Sequence, residues 1–160
     1  MSIHEEMMSL ALGEAKKAYG MGEIPVGAVM VHDGAVIAAA HNLRETSGDP
    51  TAHAEILAIR EAAMQIGTRR LNDCTLYVTL EPCPMCAGAL SMACVGKCYF
   101  GARDERQGCV ESVYALTQDA AFYHRLPCIG GVLANECSEL LLHFFKQRRT
   151  KDKGVRQRDD

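Results

Sequence analysis

Thr51-Ala52-His53-Ala54-Glu55 and Glu81-Pro82-Cys83-Pro84-Met85-Cys86 are the two stretches around which this chain is organised. The first offers an imidazole and a carboxylate two positions apart; the second offers two thiols three positions apart. His53, Cys83 and Cys86 make three soft or borderline metal ligands, the number a catalytic zinc takes from protein while its fourth position stays open for water. Glu55 is left over, near the metal and free to move protons. Asp49-Pro50 precedes apolar residues at Ile56, Ile59, Ala63 and Ile66, which predicts a helix with Asp49 near the N-cap and Pro50 first, ending near Gly67. Pro84 likewise suits a helix start, with Cys83 at the cap and Cys86 a turn later on the same face. Two helix N-termini aimed at one point favour thiolates and a bound hydroxide through their partial positive charge.

Blander readings use the same residues. A His-x-Glu pair on a helix is commonly a surface pair, and Cys-x-x-Cys also serves structural zinc or redox chemistry. A four-cysteine structural site from Cys83, Cys86, Cys94 and Cys98 is a closer rival, but Cys98 falls in an apolar run that reads as a buried strand. A closed structural site also has no use for Glu55. Both halves occur in order, in the H-x-E…P-C-x-x-C pattern of zinc-dependent nucleobase deaminases. That chemistry needs hydroxide at neutral pH and a proton for the ring and the leaving ammonia. Zinc on His53, Cys83 and Cys86 would lower the pKa of its water, and Glu55 would carry the proton from water to ring nitrogen to amine.

Working outward, residues 3–19 read as an amphipathic helix with Ile3, Met7, Leu10, Ala11, Ala15 and Ala18 on one face, stopped by Gly20 and Gly22. Ile24 to Val31 and Ala35 to His41 flank His32-Asp33-Gly34, a hairpin signal. Cys74–Leu80 and Val95–Gly101 read as strands on either side of the second metal helix, and 109–122 as helical in part. Ile129–Leu133 offers a short last strand, and Asn135 a cap for a final helix with Cys137, Leu140, Leu141 and Phe144 as its buried stripe. This order predicts a three-layer α/β/α domain with a mixed central sheet over residues 1–150, followed by a charged, disordered tail over 151–160.

With 160 residues, 48% apolar content and 23% charge, the composition is that of one globular domain. The sequence has no long apolar run and no signal-peptide pattern, which predicts no membrane segment. Beyond the two ligands, the other six cysteines read as buried apolar residues in a reducing cytoplasm. A net charge of -3 does not advertise a nucleic-acid binder, yet Lys146, Arg148, Arg149, Lys151, Lys153, Arg156 and Arg158 crowd the C-terminus. Such an end can contact phosphates, or it can be a solvated tail.

The chain closely resembles the bacterial tRNA-specific adenosine deaminases of the cytidine deaminase-like superfamily, from about Ile3 to Arg149. The resemblance is carried by Glu23 to Ala28, His41-Asn42, Asp49 to Glu55, Thr75 to Cys83, Met85 to Ala89, Phe100 to Asp104, His124-Arg125 and Phe144-Phe145-Lys146. It implies hydrolytic conversion of adenosine to inosine at the wobble position of a tRNA anticodon, by a cytoplasmic homodimer holding one zinc per subunit. It implies that Asn42 hydrogen-bonds the flipped base, that Val26 and Ala54 line its pocket, and that Asp104 contacts a neighbouring anticodon-loop nucleotide. Lys146, Arg148 and Arg149 would meet the RNA backbone of the stem-loop. The chain departs from the family pattern at Ala93-Cys94-Val95, Tyr123 and Glu111-Ser112-Val113. A deaminase of free guanine, cytosine or cytidine shares every zinc residue and is the rival function; a structural zinc module is the rival of another class.

Overall fold

A computed structural model describes residues 1–158. Helix α1 (Ile3–Gly20) leads into the hairpin β1 (Gly27–His32) and β2 (Ala35–His41), turned by Asp33 and Gly34 at φ 50° and 76°. A single helical turn α2 (Arg44–Ser47), the metal-motif helix α3 (Ala54–Ile66) and strand β3 (Cys74–Leu80) follow. Then come α4 (Pro84–Met92), β4 (Lys97–Ala102), a short β5 (Cys128–Ile129) and α5 (Ala134–Arg158). The sheet order is β2-β1-β3-β4-β5; β1 runs antiparallel to both neighbours, and β3, β4 and β5 are parallel.

Alternation along the strands builds the layers. Ala28, Met30, Leu76, Val78, Cys98 and Phe100 turn to the face covered by α3 and α4. Val29, Tyr77 and Tyr99 turn to the face covered by α1 and α5. The predicted mixed-sheet, three-layer α/β/α architecture is the one observed. Helix α5 contributes to both sides, since Cys137 belongs to the second cluster and Leu141 reaches the first.

Several boundaries differ from the sequence reading. Helix α3 begins at Ala54, not at Pro50, because Asp49 spends its carboxylate on Thr51, accepting from its N–H at 2.8 Å and its hydroxyl at 2.7 Å. That local turn competes with the cap and delays the helix until His53. The buried face of α1 is Met8, Ala11, Leu12, Ala15 and Ala18, while Ile3 and Leu10 are half exposed. Small alanines face the sheet because the helix backbone lies directly on β1. Residues 109–122 hold only the 3-10 turn Leu116–Gln118, and α5 starts at Ala134, so Asn135 lies inside its first turn. The helix also runs on through Arg158, across most of the segment read as a disordered tail; Lys, Arg and Gln continue a helix readily. Asp159 and Asp160 lie outside the described residues.

Candidate zinc site and substrate cleft

The sheet gathers the site at one end. Gly27 pairs with His41, and Leu80 with Ala102, so the start of β1 and the ends of β2, β3 and β4 meet on one edge. Val26, Asn42, Glu81-Pro82-Cys83 and Arg103-Asp104 are the residues just beyond those ends. Ligand sites in α/β sheets commonly form outside the carboxyl ends of strands. The two metal helices start there as well. His53 is the N-cap of α3 and Cys83 the N-cap of α4, neither side chain is spent on capping, and Cys86 sits inside the first turn of α4. The free N–H groups of both helix starts therefore face the cluster.

His53 Nδ1 lies 3.6 Å from Cys83 Sγ and 3.5 Å from Cys86 Sγ. A tetrahedral zinc with Zn–N of about 2.0–2.1 Å and Zn–S of about 2.3 Å holds its nitrogen and sulfur ligands about 3.6 Å apart. One imidazole proton cannot serve two sulfurs, whereas one cation uses all three donors. Among the described residues this is the one cluster of three metal-capable side chains. It fits Zn2+ in donor chemistry and in spacing. Of the rival cysteine ligands, Cys94 and Cys98 are buried and do not join this group.

The electrostatics are uneven. The bond from Cys86, offset in part by burial and reinforced by His53, brings Cys83 down to about 4. That same bond, then burial, then the Glu55 charge push the Cys86 thiol far up. His53 is raised, chiefly by its bond to Cys83. Glu55, at the second position of α3, is 4% exposed, and burial holds its carboxyl above the usual carboxylate range. A buried carboxyl that retains a proton readily is suited to general acid–base work.

The cluster opens into a cleft of about 920 Å³ that Val26, Asn42, Ala54, Glu55 and Asp104 help to line. The predicted substrate residues are thus brought together. Asn42 is 7% exposed; its Nδ2 donates to Ile24 O, and its Oδ1 accepts from Arg44 N. An amide has two N–H groups and two acceptor positions, so a donor and an acceptor remain for a ligand. Asp104 Oδ1 accepts from Arg106 N and Gln107 N, shaping its own loop. Arg148 and Arg149 border the cleft, but Lys146 does not line it. Arg44, Arg103 and Arg106 also line it, and the sequence assigns none of them a role, although Arg103 belongs to the segment that carries the family resemblance. Arg44 opens the single turn α2, and Arg103 and Arg106 sit on the loop after β4, so no helical or strand periodicity marks any of the three. Two departures from the family pattern meet in space: Cys94 Sγ lies 3.5 Å from the Tyr123 hydroxyl.

A family model described as the cytidine and deoxycytidylate deaminase zinc-binding region matches residues 1–102. The tRNA-specific adenosine deaminase of Bacillus subtilis is 49% identical over 157 residues, covering 98% of each chain. That of Haemophilus influenzae is 47% identical over 150 residues, 93% of this chain and 87% of the other. This chain belongs to the tRNA-specific adenosine deaminases. Among solved structures, one from work on A-to-I editing by tRNA:A34 deaminases at the wobble position is 43% identical with TM-score 0.82. It covers 85% of this chain and 99% of its own. A guanine deaminase from Bacillus subtilis is 45% identical with TM-score 0.61, over 64% of this chain and 66% of its own. Among the described residues, no helix is long and apolar enough to cross a membrane.

Proposed function

We propose that this protein hydrolyses adenosine to inosine and ammonia at the wobble position of a tRNA anticodon. The observation that carries the reading is one cleft in which the His53-Cys83-Cys86 cluster and Glu55 open onto Asn42, Val26 and Asp104, with arginines at its rim. His53, Cys83 and Cys86 would hold the zinc, which would supply the Lewis acidity that makes water nucleophilic at neutral pH. Glu55 accepts the water's proton, delivers it to the ring nitrogen beside the attacked carbon and assists departure of the amine. Asn42 reads the base edge with its remaining amide donor and acceptor, while Val26 and Ala54 pack the ring. Arg148 and Arg149 hold phosphates without reading sequence, and Lys146 extends that basic strip beyond the cleft. Asp104 faces the nucleotide next to the flipped one.

The protein works as a cytoplasmic homodimer. Supporting this, Met64, Met92, Tyr114 and Tyr123 are each at least 70% exposed on or beside α3, α4 and the 3-10 turn, and all eight thiols are unpaired. Residues 1–150 form the deaminase domain.

The test incubates zinc-loaded protein with an anticodon stem-loop carrying a wobble adenosine, in parallel with free adenosine, cytidine, cytosine and guanine, and scores products by mass. Inosine in the stem-loop is the expected result. Turnover of free guanine with an untouched stem-loop would reassign the same chemistry to nucleobase salvage, the alternative that the similarity to a guanine deaminase keeps in view. Sedimentation at micromolar concentration tests the dimer.

A further inference from the structure

We infer that Glu81, the residue immediately before the Pro82-Cys83 ligand turn, is a positioning residue: its carboxylate holds the 103–112 loop in the conformation that forms one wall of the substrate cleft. The inference rests on the RNA reading for what that wall recognises, but the loop geometry stands independently of it.

Glu81 is 2% exposed at the end of β3. Its Oε1 accepts from Asp104 N at 3.0 Å and from the Ser112 hydroxyl. Its Oε2 accepts from Glu111 N at 2.9 Å and Ser112 N at 2.8 Å. Every partner is a donor, so the group must act as an acceptor at both oxygens, which suits an ionised carboxylate and no neutral side chain of the same shape. The bonds tie both ends of the loop, Asp104 on one side and Glu111-Ser112 on the other, to a single rigid strand end. Between them, Gly108 passes so close that a Cβ there would stand 2.3 Å from Glu81 Cδ, so the loop is moulded on this side chain. Outside, Glu111 Oε1 accepts from Arg103 Nε at 2.6 Å and closes the same neck at the surface. This gives a role to Glu111, one of the positions where the chain departs from its family pattern.

The loop so held presents Arg103, Asp104, Arg106 and Gln107 to the cleft. Glu81 itself borders the cleft, but both of its oxygens are taken up by loop donors, so it acts through the loop. Loosening it should weaken binding of a large substrate that reaches the loop and leave the zinc and Glu55 chemistry in place.

The experiment uses full-length, zinc-loaded protein and Glu81→Gln, which keeps the shape but turns one acceptor into a donor facing other donors. The expected result is unchanged zinc content, a KM for the anticodon stem-loop raised about tenfold or more, and a kcat within about threefold of the parent. Trypsin supplies a readout independent of activity: cleavage after Arg103 or Arg106 should accelerate about tenfold or more, as expected when charge-assisted bonds are lost. Ser112→Ala, which removes one hydroxyl donor and no charge, should move both readouts the same way by less, and it decides the matter if Glu81→Gln fails to fold. Equal trypsin rates in parent and variant, or a fall in kcat with KM unchanged, would overturn the assignment. If the parent itself ignores the stem-loop, the functional reading fails alone, and the trypsin rates still decide whether Glu81 holds the loop.

Discussion

Replacing Gly101 by alanine probes how tightly α5 is held over the cleft. A Cβ there would stand 2.4 Å from Cys137 Sγ, 2.8 Å from Thr79 O and 3.0 Å from Cys137 Cβ. Ordinary contact begins at 3.4 Å, so the sulfur is overrun by about 1 Å and the strand oxygen by about 0.6 Å. Neither neighbour can swing away. Cys137 is 1% exposed on the inner face of α5, and Thr79 O belongs to the backbone of β3. The helix must shift, at a cost of about 2–3 kcal/mol, the upper part of the usual range for overpacking. Cys137→Ala alone should cost about 1 kcal/mol for the lost buried sulfur. In the double variant the worst clash is gone and only the oxygen and Cβ approaches remain. The pair should therefore be more stable than the sum of the single effects by about 1 kcal/mol or more. Urea unfolding at a fixed zinc excess, followed by circular dichroism, measures all four proteins. Because Leu141, Phe145 and Arg149 ride on α5 into the cleft, Gly101→Ala should also raise KM for the stem-loop. Strict additivity of the two substitutions, or a Gly101→Ala protein as stable as the parent, would refute the close-contact reasoning.

Glu55→Gln should bind zinc normally by metal analysis yet lose about 10²–10⁴-fold in kcat, the usual contribution of a positioned acid–base group; normal turnover with zinc bound would remove Glu55 from the mechanism. Stripping zinc with a chelator should leave Cys83, held down to about 4, as a standing thiolate. Iodoacetamide followed by peptide mass mapping should then find it the first of the cysteines alkylated, at a rate nearly flat from neutrality to about pH 5, and zinc should protect it. Burial works to raise Glu81, but the bonds from Ser112, Asp104 and Glu111 outweigh it and hold the carboxyl below the usual range. With the folded value below the unfolded one, its contribution is complete above the ordinary carboxylate range and is lost as pH falls through the depressed value. The stability gap between parent and Glu81→Gln should therefore stay constant from neutrality to about pH 5 and shrink below it, as read from urea midpoints across pH.

Much of the architecture was legible in the chain because it rests on local rules. A short run rich in β-branched residues marked β3 at Cys74–Leu80 to the residue, and Pro84 set the start of α4 with Cys83 at its cap. The hairpin turned where Asp33-Gly34 demanded. Errors arose where local signals compete: Asp49 looked like a helix cap until Thr51 took its carboxylate, and on α1 the alanines Ala11, Ala15 and Ala18 are buried as expected, but with Met8 and Leu12 beside them in place of Ile3 and Leu10. The pattern of His53, Glu55, Cys83 and Cys86 was enough to favour zinc and to point to the deaminase superfamily, since ligand type and spacing carry that information by themselves. Tertiary structure alone decided that the imidazole presents Nδ1 to both sulfurs, that strand register carries Val26, Asn42 and Asp104 to one edge, and that Glu81 ties Asp104 to Glu111 and Ser112. Those contacts join residues 16 to 78 positions apart, where no periodicity reaches and only the pairing of strands determines which side chains become neighbours.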